Sequence, residues 1–304
     1  MEPIEVFDAR ATARLLDFSA LVEALKQATL EHAAGLIHAP VRMSVPLEDG
    51  GVFLSMPASA AEIAIHKLVS VSPANVAKNL PTIFGMVTVC DGATGQPEFI
   101  LDGPTVTGRR TAALSMLGVR LLHPHTPSSF LLIGTGQQAR FHAAAIGQLY
   151  PDASLYVRGL HMEAERDFCA TMKQSGVAVM SACEGKPHDI DTVITVTTSK
   201  TPVYTEAANA GRLVIGVGAF TPDAAEIAPQ TVKASTVFVD DLNATREEAG
   251  DLIQAAVDWP AVRSLASASK EPVPKDKPVL LKTVGSGAWD LAACRVARSA
   301  IRGR

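Results

Sequence analysis

Apolar residues recur at helical spacing through residues 10–35, at Leu15, Phe18, Leu21, Val22, Leu25, Ala28 and Leu30, and predict one amphipathic helix there. From Val41 the period falls to two, with Val41, Met43 and Val45 alternating with Arg42 and Ser44. Further β-rich runs follow at 51–56, 63–71 and 82–90. The turn residues Asp91-Gly92-Ala93-Thr94-Gly95 join the last of these to a run at 97–101, which predicts a hairpin. Pro104 opens a helical stretch over 105–122, and Pro124 and Pro127 punctuate its end. The first third therefore reads as helix plus antiparallel sheet, with a domain boundary at 122/123.

Beyond that boundary the pattern alternates. Strands are predicted at 129–133, 154–157, 177–180, 191–196, 212–217 and 236–239, and helices at 137–149, 163–174 and 241–256. Strand–helix alternation implies a parallel sheet with right-handed crossovers. The Lys/Pro-rich stretch 267–278 reads as a surface loop, and 291–301 as a final helix. The fold class is α/β: an α+β domain with a mainly antiparallel sheet, then a doubly wound domain over 123–290.

One turn in the second domain carries chemistry. The apolar strand Phe130-Leu131-Leu132-Ile133 runs straight into Gly134-Thr135-Gly136-Gln137-Gln138-Ala139, and a helix follows. This is the setting of a dinucleotide fingerprint. Gly134 permits the tight turn, Gly136 lets the backbone approach a pyrophosphate, and Ala139 lets helix pack on strand. The free N–H groups at the helix start then face the phosphates. An acid at the end of the next strand would hold the ribose 2′-hydroxyl of NAD. The chain instead has Arg158 and His161 in Val157-Arg158-Gly159-Leu160-His161. A cation suits the 2′-phosphate of NADP, so NADPH is the favoured cofactor, with NADH as a second donor. On its own, Arg158 also reads as a solvated surface residue.

Composition narrows the partners. The 304 residues are 47% hydrophobic and 19% charged with net charge −4, which is globular and asks for neither nucleic acid nor a membrane surface. No apolar run approaches the ~18 residues of a membrane span. No basic stretch leads into an apolar segment near the start, and Glu5, Asp8 and Asp17 interrupt it, so the expected location is the cytoplasm. Cys90, Cys169, Cys183 and Cys294 are far apart and show no CxxC spacing, so no metal site is expected and the thiols read as reduced.

The chain resembles the ornithine cyclodeaminase/μ-crystallin family over nearly its whole length. The resemblance rests on Lys67-Leu68-Val69, Leu80-Pro81-Thr82, Leu101-Asp102-Gly103, Arg110-Thr111-Ala112-Ala113, the glycine turn, Glu248-Ala249-Gly250-Asp251 and Lys282-Thr283-Val284-Gly285. The run Gly103-Pro104-Thr105-Val106-Thr107-Gly108-Arg109-Arg110 further resembles the family's bacterial Δ1-pyrroline-2-carboxylate/Δ1-piperideine-2-carboxylate reductases. The resemblance implies a homodimer built on 1–122 with 291–304 returning to it, a Rossmann domain over 123–290, and an active site between the domains. It implies that Arg42, Lys67 and Arg110 bind a substrate carboxylate. Taken singly each reads as a solvated charge, and Arg109 competes with Arg110, though the Arg-Thr-Ala-Ala register favours the latter. His66 points to the opposite strand face from Lys67 and reads as structural. The role of Asp290 is left open. The cofactor set is Gly134, Thr135, Gly136, Gln137, Gln138, Ala139, Arg158, His161 and Thr197.

One departure from the family decides the reaction. Cyclodeaminases carry an Asp in a Gly-Gly-Asp-x-Pro stretch; here it reads Gly218-Ala219-Phe220-Thr221-Pro222, and a phenyl ring takes no proton. Asp223 lies past Pro222 and is badly placed to substitute. The expected activity is therefore NAD(P)H-dependent reduction of a small anionic cyclic imine, Δ1-pyrroline-2-carboxylate to L-proline or Δ1-piperideine-2-carboxylate to L-pipecolate. Two alternatives stand beside it: an alanine-dehydrogenase-like oxidoreductase, and a non-catalytic NADPH- and small-ligand-binding protein.

Overall fold

The computed structural model describes residues 3–185, 187 and 189–303. The chain divides into two compact units, 1–113 with 286–304, and 114–285. The division falls inside a helix rather than at its end at 122/123, and the return begins at Ser286 rather than 291.

Unit 1 opens with β1 (Glu5–Phe7), α1 (Ala9–Leu15) and α2 (Phe18–Ala33). The single helix expected over 10–35 is two. Asp8 caps α1 by accepting from Ala11 N, and Asp17 caps a fresh start by accepting from Ala20 N. A capping Asp restarts a helix where the apolar period alone runs on. Then come β2 (Met43–Pro46), β3 (Val52–Ala60), β4 (Ile63–Val71), β5 (Ile83–Asp91), β6 (Pro97–Asp102) and α3 (Gly103–Leu122), which runs on into unit 2. The sheet order is β1-β6-β5-β4-β3-β2, antiparallel except where β1, unforeseen from the sequence, lies parallel to β6. The predicted hairpin is β5–β6: Asp91 Oδ1 accepts from the N–H groups of Ala93 and Thr94 and closes its turn.

Unit 2 contains β7 (Ser129–Ile133), α4 (Gln137–Leu149), β8 (Ser154–Arg158), α5 (Met162–Gln174), β9 (Met180–Ser181), α6 (Ala182–Gly185), β10 (Thr192–Thr195), β11 (Leu213–Gly216), α7 (Pro229–Lys233), β12 (Thr236–Val239), α8 (Leu242–Glu248), α9 (Gly250–Gln254), β13 (Arg263–Ser264) and β14 (Val279–Lys282). All eight strands are parallel, in the order β13-β12-β14-β11-β10-β7-β8-β9. The helix expected over 241–256 breaks at Ala249, and Asp251 just past the break is buried. β14 was hidden because its apolar run is too short to show a period. The core packs Leu131, Ile133, Val193, Val214, Val237 and Leu280 on one face of the sheet.

The last helix, α10 (Gly287–Arg302), belongs to unit 1, where it packs on α2, β3 and β4. Within that unit the register of β4 settles the alternation. Lys67 pairs with Met56 and Val87 and faces α10, among buried residues. His66 faces the other way, exposed, with Nε2 2.8 Å from Ser55 Oγ.

Candidate active site

Three charged side chains meet inside unit 1. Lys67 comes from β4, Arg110 from α3 and Asp290 from the first turn of α10. Lys67 Nζ donates to Asp290 Oδ2 at 2.5 Å, and Arg110 Nε donates to Oδ1 at 3.0 Å. Their relative exposures are 2%, 6% and 0%, so none of these charges is a solvated one. Buried charge is costly unless paired, and here one carboxylate serves two cations.

Burial pulls the Lys67 ammonium down, Asp290 pulls it part of the way back, and the positive charges of Arg110 and Arg42 push it lower, to about 8. Burial raises the Asp290 carboxyl, but the charges and hydrogen bonds of Lys67 and Arg110 outweigh this and leave it below the usual carboxylate range. Arg42 is half-buried and lies just ahead of β2 rather than on it; its charge reaches Lys67. Arg109 is not part of the group. Its Nε donates to Leu16 O at 2.7 Å, and its guanidinium lies 3.9 Å from the centre of the Phe18 ring.

The nucleotide turn stands in unit 2, at the carboxyl end of β7. Gly134 has φ +121, a region only glycine adopts readily, and a Cβ there would sit 3.0 Å from Val196 O. Beside Gly136 a Cβ would meet nothing within 4 Å. That open space is what a pyrophosphate needs. Gly136 caps α4 without a side-chain hydrogen bond, so the first N–H groups of Gln137, Gln138 and Ala139 carry no side-chain acceptor. Ala139 is buried against the strand. The turn fits a dinucleotide phosphate.

The remaining candidates cluster at the same strand ends. Arg158 closes β8, and its Nη2 lies 3.8 Å from Glu206 Oε1. His161, exposed, caps α5 with Nδ1 accepting from Ala164 N. Thr197 follows β10, but its N–H and hydroxyl both donate to Glu226 Oε1, and its Oγ1 accepts from Ser199 N. Its hydroxyl is thus committed to the fold.

Glu226 escaped sequence reasoning. This buried carboxylate also accepts from Thr195 Oγ1, Gly218 N and Ala219 N, tying together the turns after β10 and β11. Glu226 N and Ile227 N in turn donate to Asp251 Oδ1, and Asp251 Oδ2 lies 2.9 Å from the fully buried Lys282 Nζ. The signal was a lone acid inside the apolar run Ala225-Glu226-Ile227-Ala228.

Among the described residues, His123, His125 and Asp191 bring potential ligand atoms within 4.8 Å of one another. Both nitrogens of His123 are already spent, Nδ1 accepting from His125 N and Nε2 bonding to Asp191 O, so the group reads as a structural corner of unit 2.

The family model described as "Ornithine cyclodeaminase/mu-crystallin family" matches residues 5–280. The chain belongs to this family. It is 54% identical over 300 residues to Delta(1)-pyrroline-2-carboxylate reductase 1 of Burkholderia multivorans, across 98% of this chain and 96% of that one. It is 53% identical over 305 residues to the Delta(1)-pyrroline-2-carboxylate/Delta(1)-piperideine-2-carboxylate reductase of Azospirillum brasilense, across 100% and 98%. The structure of the Thermococcus litoralis Delta(1)-pyrroline-2-carboxylate reductase in complex with NADH and L-proline matches with a TM-score of 0.88 at 23% identity, over 99% of this chain and 98% of that one. This last likeness carries the fold.

Phe220, at the position compared above with the Asp of a cyclodeaminase, is 44% exposed in the turn after β11. Asp223 offers no replacement. Hydrogen bonds from Lys200 Nζ and Thr221 Oγ1, both at 2.7 Å, pull its carboxyl down to about 2 and leave it a poor base.

Proposed function

We propose that this chain reduces cyclic ketimine carboxylates with NAD(P)H, converting Δ1-pyrroline-2-carboxylate to L-proline and Δ1-piperideine-2-carboxylate to L-pipecolate. The buried cationic group around Lys67 carries the reading, in a chain more than half identical along its length to reductases so named. Lys67, Arg110 and Arg42 hold the substrate carboxylate, Arg110 through a planar fork that fixes orientation. Lys67, with an ammonium titrating at about 8, keeps a transferable proton beside the imine nitrogen near neutral pH. A reduced nicotinamide, when bound at the glycine turn, supplies the hydride. Added to the protonated C=N carbon, that hydride would leave the π electrons on nitrogen and give the secondary amine.

NADPH is the preferred donor on this reading, because β8 ends in Arg158 with no acid at that place; NADH serves less well. The working form is a homodimer. In unit 1, Met43, Val45, Phe84 and Met86 are 64%, 50%, 47% and 47% exposed, and the register puts all four on the sheet face turned away from Lys67. An apolar face of this kind, reaching from β2 across β3 and β4 to β5 on strands already paired, fits a second copy of itself. No described helix is long and apolar enough to cross a membrane, and with four unbridged cysteines the enzyme belongs in the reducing cytoplasm.

The test is loss of absorbance at 340 nm with both imines, run with NADPH and NADH. Turnover confined to pyruvate plus ammonium would move the chain to the amino-acid dehydrogenases. Tight NADPH binding without turnover of any imine would make it a binder. Ornithine with NAD+ should release no ammonia, as Phe220 requires.

A further inference from the structure

The placement of Asp290 is too specific for a mere counter-ion. The start of α10 lies flush on β3: a Cβ on Gly287 would come within 3.1 Å of Pro57 O and 3.3 Å of Ala58 Cβ. Trp289 packs edge-on against His32 of α2, at 5.7 Å between ring centres. Ser286 caps the helix by accepting from Ala288 N, so Asp290 stands in the positive first turn, where a carboxylate is favoured. This close docking lets a short side chain reach across to β4 and α3 at once. It takes Arg110 through Nε, which leaves the Nη fork unspent by Asp290. Its other oxygen takes Lys67 Nζ. Without it, two buried cations would face each other with the charge of Arg42 near by.

We propose that Asp290 is the positioning residue of the imine site, its carboxylate shared by Lys67 Nζ and Arg110 Nε so that the two cations are held side by side as one receptor for a single carboxylate. This rests on the reading of Lys67 and Arg110 as the carboxylate anchors. The charged groups facing Lys67 are Asp290 from α10, Arg110 from α3 and Arg42 ahead of β2. Cys294, one turn further along α10, stays a neutral thiol because burial pushes it far up. Removing the Asp290 charge therefore both loosens the pair and makes the Lys67 proton easier to lose.

The experiment is a pH–rate profile with Δ1-piperideine-2-carboxylate at saturating NADPH, on the full-length wild type, Asp290→Asn and Asp290→Glu. Lys67→Met and Arg110→Met run beside them, and NADPH affinity is followed by fluorescence. Asp290→Asn should raise the imine KM tenfold or more, shift the alkaline limb of kcat/KM to lower pH by a unit or more, and leave NADPH affinity within twofold. Asp290→Glu keeps the charge on a longer arm. It should keep the limb near its wild-type position while KM still rises, and it carries the test if Asp290→Asn does not fold. A wild-type KM and limb in either variant that folds, with only the melting temperature lowered, would overturn the role of Asp290. A wild-type KM in Lys67→Met and Arg110→Met would instead overturn the carboxylate assignment beneath it.

Discussion

Arg109 and Arg110 are neighbours in sequence, yet α3 sends them to different tasks: Arg109 Nε donates to Leu16 O and Arg110 Nε to Asp290. Successive helical residues are about 100° apart around the axis, so only one of the two can face α10. Arg110→Met should therefore lower kcat/KM for the imine by roughly a hundredfold or more, the scale of a lost charged anchor, with NADPH affinity near wild type. Arg109→Met removes a backbone tie and a cation–π contact, worth on the order of 1–2 kcal/mol together, so it should lower the melting temperature and leave kcat/KM within a few-fold. Equal kinetic losses in both variants would refute the division of labour.

Lys67 should also mark the pH dependence of stability. Its ammonium titrates at about 8 in the folded chain against an ordinary 10.5. Between those values the unfolded chain binds the extra proton, so stability rises with pH there and is lowest below about 8. The rise attributable to Lys67 is on the order of 3 kcal/mol. Denaturant melts of wild type and Lys67→Met from pH 7 to 10.5 isolate it. The difference, wild type minus variant, should grow with pH, and a flat difference would count against a buried, depressed lysine.

His142 supplies the acid counterpart. It is fully buried on α4, with Nδ1 bonded to Gln138 O and Nε2 2.9 Å from Ser115 Oγ. A carbonyl only accepts, so Nδ1 carries the proton and Nε2 accepts from the serine. Burial depresses the ring to about 4, the bond to Gln138 offsetting only part of this. The unfolded chain binds the proton between about 6.5 and 4, so stability is present above 6.5 and is lost as pH falls through that window. Wild type should lose on the order of 3 kcal/mol there that His142→Gln does not, read from urea midpoints at pH 7 and 4.5.

What could be read from the sequence was local. The glycine turn announced itself because strand, Gly-x-Gly-x-x-Ala and helix are contiguous, and α4 starts at Gln137 as the pattern required. Lys67 stood out as a charge in an apolar strand, and alternation alone separated it from His66. Asp290 was out of reach, because its partner lies 223 residues away and its meaning depends on how α10 docks on β3 and β4. Glu226 likewise gathers donors from two separate turns. Thr197 stands in the expected cofactor set, and the sequence gives no sign that its hydroxyl donates to Glu226, 29 residues on. The alternation of Met43 and Val45 marks a strand, though not that it starts only at Met43, and periodicity does not say that the apolar side faces outward.

That outward face makes its own prediction. Met43 and Val45 on β2 and Phe84 and Met86 on β5 lie on the same side of the sheet, none of them touching the Lys67 cluster on the other side. Met43→Glu with Met86→Glu puts two charges into the patch and should shift the protein from dimer to monomer by sedimentation. A dimer that survives both would place the interface elsewhere.

Cofactor choice is where two charges compete. Arg158 Nη2 lies 3.8 Å from Glu206 Oε1, while Glu206 is gripped more tightly through Oε2 by Arg212 Nη1, at 2.5 Å. Arg158 and Glu206 are both substantially exposed, so their mutual attraction is worth only ~0–1 kcal/mol and does not lock the guanidinium. On the proposed preference for NADPH, a 2′-phosphate, with two charges and a bidentate geometry, would draw Arg158 away from a single screened carboxylate. Arg158→Ala should therefore weaken NADPH binding by about tenfold, the value of one charged hydrogen-bonded contact, and change NADH binding little. Glu206→Gln acts with the opposite sign. It removes the competitor and should improve NADPH binding up to about fivefold without helping NADH, in keeping with a surface pair. Titration of both cofactors by fluorescence on the three proteins gives the answer. If Arg158→Ala weakens both cofactors equally, Arg158 does not read the phosphate, and the preference for NADPH loses its support.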